Sequence, residues 1–116
     1  MSGPAVYDDG VLRMTATGRP PLVAIIGEID EDTYPALVAM LTELARLTEI
    51  HLNLAGVQYC DLAGLRAIVQ MAGASGGGST RRVVLHGVPP RIRNVLGIVG
   101  WDATPGLVID DRPSAG

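Results

Sequence analysis

The sequence has no lysine and no phenylalanine, and it carries one cysteine, one tryptophan and three tyrosines. A lone cysteine excludes an internal disulfide, and Cys60 with the only two histidines, His51 and His86, matches no zinc-site spacing. So few aromatics leave little on which bases could stack, and a formal net charge of −3 supplies no field to gather a polyanion. Nucleic acid is therefore not an expected partner, and neither a metal nor another cofactor is expected. Apolar residues make up 47% of the chain, yet no run approaches the ~18 residues that would read as a membrane span. No basic-then-apolar leader opens the sequence, so a cytoplasmic location is expected.

What is present suffices for one domain. A chain of 116 residues can bury roughly two-thirds of the surface its unfolded form exposes. Residues 1–10, with Gly3, Pro4 and Asp8-Asp9-Gly10, show no period and predict a loose lead-in; residues 113–116 predict a disordered tail, leaving a domain over 11–112.

Leu12, Met14 and Ala16 alternate with Arg13 and Thr15, which predicts an edge strand with one wet face. Leu22 to Ile26 is apolar without alternation and predicts a strand buried on both faces, ending at Gly27. A helix is expected from about Thr33, with Pro35 in its first turn and a stripe of Leu37, Met40, Leu41 and Leu44. Ile50, Leu52 and Leu54 alternate with His51 and Asn53 in a third strand, and nothing in the sequence pairs His51 with His86.

Leu65, Ile68, Val69 and Ala72 predict a second amphipathic helix, ended by Gly73 and the tract from Ser75 to Thr80. That tract lacks the lysine and spacing of a phosphate loop. Val83 to Leu85 is a fourth strand; Pro89-Pro90 introduces a third helix striped by Ile92, Val95, Leu96 and Val99, and Gly106 to Ile109 is a last short strand. Trp101 reads as a lid on the core. Strands alternating with helices imply an α/β sheet, parallel wherever a helix joins neighbouring strands.

The most informative stretch is Tyr59-Cys60-Asp61-Leu62-Ala63-Gly64-Leu65, where a strand pattern gives way to a helical one. The first amides of a helix lack internal partners and carry the positive end of its dipole. Asp61 there either caps the helix or faces a partner. Leu62 either extends the apolar stripe or stands exposed as a contact.

Three segments in register resemble the STAS domain of anti-anti-sigma factors, the anti-sigma factor antagonists, over residues 10 to 112. They are Gly27-Glu28-Ile29-Asp30 with Thr33 and Pro35, the stretch from Tyr59 to Leu65, and the late helix from Pro90 to Gly100. The resemblance implies a mixed, SpoIIAA-like sheet of four to five strands with helices packed mainly on one face. It also implies a non-enzymatic binding module, a monomer or weak dimer, whose partner is an anti-sigma factor of the histidine-kinase-like ATPase fold. Binding that partner releases a sigma factor.

The implied contact surface is Glu28, Ile29, Asp30 and Thr33 with Asp61, Leu62, Ala63, Gly64, Leu65 and Arg66. In the family, the residue after the aspartate is the serine or threonine that the kinase phosphorylates. Here that position is Leu62 and the next is Ala63, neither of which can accept a phosphoryl group. An antagonist without this toggle, or one controlled by other means, is expected. Thr33, Ser75, Ser79, Thr80 and Thr104 remain as other hydroxyls, and Cys60 as either a small core residue or a redox-sensitive thiol. The same face would serve an alternative role as a STAS-like accessory subunit of a lipid-transport ATPase or a sensory scaffold. No nucleophile–base pair can be built from Asp61, Cys60 and the histidines, so an enzyme is not expected.

Overall fold

The strands are β1 (Ala5–Asp8), β2 (Leu12–Thr17), β3 (Leu22–Ile29), β4 (Glu49–Cys60), β5 (Arg82–His86) and β6 (Leu107–Asp110); the helices are α1 (Tyr34–Leu44), α2 (Leu62–Gln70) and α3 (Pro90–Val99). These come from a computed structural model that describes residues 5–73 and 80–110. The six strands form one sheet in chain order, antiparallel from β1 to β3 and parallel from β3 to β6. Each helix carries the chain to the next strand on the same side, so crossovers of the usual right-handed sense place all three on one face. The expected SpoIIAA-like α/β architecture, with helices on one side, is the one observed.

Burial follows the periods read from the sequence. Leu37, Met40, Leu41 and Leu44 of α1 and Leu65, Ile68 and Val69 of α2 are buried against Val23, Ile25, Ile50, Leu52, Leu54 and Leu85 of the sheet. In α3 only Ile92 and Leu96 are fully covered; Val99, expected in the stripe, is 41% exposed. The chain turns away there through Gly100, at φ +79°. Trp101 packs partly buried against the core, as a lid would.

Four expectations need correction. Among the described residues the sheet has six strands rather than four or five. Part of the lead-in, Ala5–Asp8, is a strand paired with β2; it is only four residues long and its register breaks between Ala5 and Tyr7, so it leaves no alternation to read. In consequence β2 is not an edge; β1 and β6 are. Finally, the run from Leu22 to Ile26 is covered on one face only, with Leu22 37% and Ile26 45% exposed. Helices lie on one side of this sheet, and an apolar run alone does not reveal that.

Two irregularities in β4 shape its C-terminal half. Its pairing with β3 skips a residue between Asn53 and Gly56, and again between Val57 and Tyr59. Each extra residue reverses which side chains face the core, so Leu54 and Val57 are both buried while Gln58 and Tyr59 are both exposed. On β3, Gly27 sits at φ +110°, where an added Cβ would stand 2.0 Å from the Val11 carbonyl oxygen. The next amide, Glu28 N–H, donates to that same oxygen at 3.1 Å. Gly27→Ala is therefore expected to cost about 2 kcal/mol or more, because backbone must move as well as strain. An unchanged urea midpoint would contradict this close approach.

Candidate functional site

Strand β3 ends where β4 ends, with Glu28 opposite Tyr59 and Ile29 opposite Cys60. The Asp61 N–H continues the ladder by donating to the Ile29 carbonyl at 2.9 Å. Asp61 then leaves the sheet in an extended conformation, φ −75° and ψ 170°, as the N-cap of α2, and its Oδ1 accepts from Gly64 N–H at 2.8 Å. The cap and the corner are thus one device: a half-buried carboxylate fixed at the positive end of a helix.

Gly64 is required by packing, since a Cβ there would lie 2.3 Å from Ile29 Cγ2. This approach draws α2 onto the end of β3. It brings Glu28, Ile29 and Asp30 alongside Asp61 through Arg66.

The ten sequence-derived residues divide by exposure. Glu28, Leu62, Ala63 and Arg66 are exposed and Asp30 and Asp61 half-buried, whereas Ile29, Gly64 and Leu65 are buried supports. Leu62 is 56% exposed, so it does not extend the packed stripe. Thr33, at 2% exposure, is a structural residue. Its hydroxyl donates to the Glu28 carbonyl and accepts from Asp30 N–H, both at 2.9 Å. Asp30 Oδ1 in turn accepts from the Asp32 and Thr33 amides, closing the turn into α1.

Sequence reading missed the neighbouring cleft of about 670 Å³, which opens between this corner and the start of α3. Tyr59, Leu62 and Leu65 form one wall and Pro90, Ile92 and Val95 the other. Its α3 wall is distant in sequence, so only the consecutive apolar residues flanking Asp61 hinted at it. Burial, and then the charge of Asp61, push the Cys60 thiol up to about 12. A group so reluctant to form thiolate does not suit a redox switch.

Of the other hydroxyls, Thr104 donates to the Trp101 carbonyl at 2.6 Å and Thr80 is exposed. Ser75 and Ser79 lie outside the described residues.

A capping carboxylate, an exposed aliphatic and an apolar cleft thus lie together at the strand ends of a one-sided sheet with the STAS arrangement of elements. Residues 12–109 match the family model described as "Mlab, STAS domain", and the chain belongs to the STAS domain family. Its fold is shared with an anti-sigma factor antagonist from Mycobacterium paratuberculosis, at TM-score 0.69 and 20% identity, covering 89% of this chain and 90% of that one. It is shared also with the anti-sigma factor antagonist SpoIIAA in its unphosphorylated form, at TM-score 0.63 and 17% identity, over 89% of this chain and 90% of that one. The phosphorylated form of the Bacillus cell fate determinant SpoIIAA gives TM-score 0.63 at 15% identity, covering 88% and 93%. Comparison with the curated proteins gives no significant match.

Proposed function

We propose that the protein is a non-enzymatic anti-sigma factor antagonist that docks an ATPase-fold anti-sigma factor through the Asp61 corner and so frees a sigma factor. The observation that carries this is Leu62: an aliphatic side chain, 56% exposed, sits next to a capped carboxylate and beside an apolar cleft. Covering one such side chain contributes on the order of 1–2 kcal/mol to association. Glu28, Asp30, Ala63 and Arg66 extend the same surface. Among the described residues no helix is long and apolar enough to cross a membrane, and a monomer or weak dimer acting in the cytoplasm fits this reading.

Leu62 also supports a second reading. The phosphorylation toggle cannot operate at that position, and the matching family model is described by the name Mlab rather than as an antagonist. An accessory subunit of a lipid-transport ATPase or a sensory scaffold would use the same face without a toggle.

A pull-down from the host with wild type and Asp61→Lys separates these readings. The antagonist reading expects wild type to retain an anti-sigma factor and the variant to lose it. Retention of a transport ATPase, sensitive to the same substitution, would establish the second reading. Retention that is indifferent to Asp61→Lys would overturn both.

A further inference from the structure

Opposite the helices, the uncovered face of the sheet carries a line of ionisable side chains across β4, β5 and β6. Period-two alternation sets Glu49 and His51 of β4, Arg82 and His86 of β5, and Asp110 of β6 on this face. His51 Nε2 lies 2.9 Å from Glu49 Oε2, His51 Nδ1 lies 2.8 Å from His86 Nε2, and His86 Nδ1 lies 3.1 Å from Asp110 Oδ2. The rings stack with centroids 5.1 Å apart, and Arg82 stands 3.8 Å from the second oxygen of Glu49.

Counting hydrogens restricts the state of this chain. An ionised carboxylate only accepts, so both outer ring nitrogens, His51 Nε2 and His86 Nδ1, must carry hydrogen. The inner nitrogens close their 2.8 Å contact only with a single hydrogen between them. Two rings then hold three hydrogens, one net positive charge shared by the pair.

We propose that His51 and His86 share one proton and act as a pH-sensitive clasp tying edge strand β6, through β5, to β4. Losing that proton leaves two hydrogens for three contacts, so one link of the chain must break, and gaining another sets two N–H groups face to face; either undoes the closed chain. The clasp therefore closes in one protonation state only, and the rings titrate as a unit.

The charged groups facing the pair are Glu49 on β4, Arg82 on β5 and Asp110 on β6; from β3, Leu22 stands opposite His51 and is apolar. Asn53 on β4 turns its Oδ1 to the Ala55 amide at 2.9 Å. The hydrogen bond from His51, with the charges of His51 and Arg82, holds the Glu49 carboxyl below its ordinary range, which keeps it an acceptor. Among the described residues no group of three or more His, Cys, Asp or Glu side chains is placed to hold a metal ion. Because β6 is an edge, opening the clasp loosens the strand that covers β5.

The test is ¹⁵N NMR of the imidazoles in the full chain from pH 5 to 8, with amide exchange of residues 107–110 corrected for intrinsic rate. Both rings should change together through one shared step. Protection of Leu107 to Asp110 should fall roughly tenfold once the shared proton is lost, as expected for local opening. His86→Gln should leave His51 titrating alone and flatten the pH dependence of protection. Both rings are partly exposed, so His51→Gln and His86→Gln should fold, and Asp110→Asn serves as a third variant that weakens the clasp from its far end. Rings that titrate independently, each unaffected by replacement of the other, would overturn the proposal. So would protection at residues 107–110 that is flat with pH in wild type.

Discussion

Replacing Arg81 by methionine is expected to lower the free energy of unfolding by roughly 3–5 kcal/mol. Arg81 is 6% exposed, and three of its guanidinium donors go to backbone carbonyls: Nε to Leu47 at 3.0 Å, Nη1 to Met71 at 2.9 Å and Nη2 to Ala45. Ala45 is the C-cap of α1 and Met71 that of α2. One buried cation thus satisfies the carbonyl ends of both helices, where the dipoles are negative. Methionine would fill much of the volume but leave those oxygens without their donors in a dry site. Arg81→Lys keeps the charge and loses the planar fork, so an intermediate loss is expected. Thermal melts check this: a fall of roughly 10–20 °C is expected for methionine. A melt within about 2 °C of wild type would show that the carbonyls find other donors.

The second large effect concerns the missing acceptor. On the antagonist reading, incubation with the cognate kinase and Mg-ATP leaves the wild type without phosphate in residues 59–65, whereas Leu62→Ser gains about one. Leu62 is the first residue of α2, where an anion favours the helix dipole, so the phosphorylated variant should stay folded. Its cost falls on association. About two negative charges placed beside Asp61 at the docking face should weaken binding roughly 100-fold, about 2.8 kcal/mol. Mass spectrometry and a binding titration read both halves. Stoichiometric phosphate within 59–65 of the wild type would contradict the account, since that stretch holds no serine or threonine.

Much of this was legible because helices and strands write their burial in their period. The stripes of α1 and α2 and the alternation of Ile50, Leu52 and Leu54 predicted core residues that the structure buries. The sequence offers Asp61 as a helix cap or a partner contact; the structure shows the cap, which depends on only a few consecutive residues. What failed to show depended on the third dimension. Leu22 and Ile26 looked doubly buried, yet whether a second layer exists is not encoded in a five-residue run. His51 and His86 stand 35 positions apart and meet only because β4 and β5 pair in a particular register. Arg81 reads as one arginine after a glycine-rich tract, and nothing local marks it as the anchor of two helix ends. The cleft shares this property, because its α3 wall is brought to Leu62 by the last crossover.

The most direct measurement is calorimetric titration of the captured partner with wild type and Leu62→Asp, alongside the unfolding free energy of each. Leu62 is exposed at the start of a helix, so the substitution should leave stability unchanged or slightly raised, while binding weakens on the order of 30-fold or more through lost apolar contact and an added carboxylate next to Asp61. Equal affinities with equal stability would place the docking face elsewhere on the molecule.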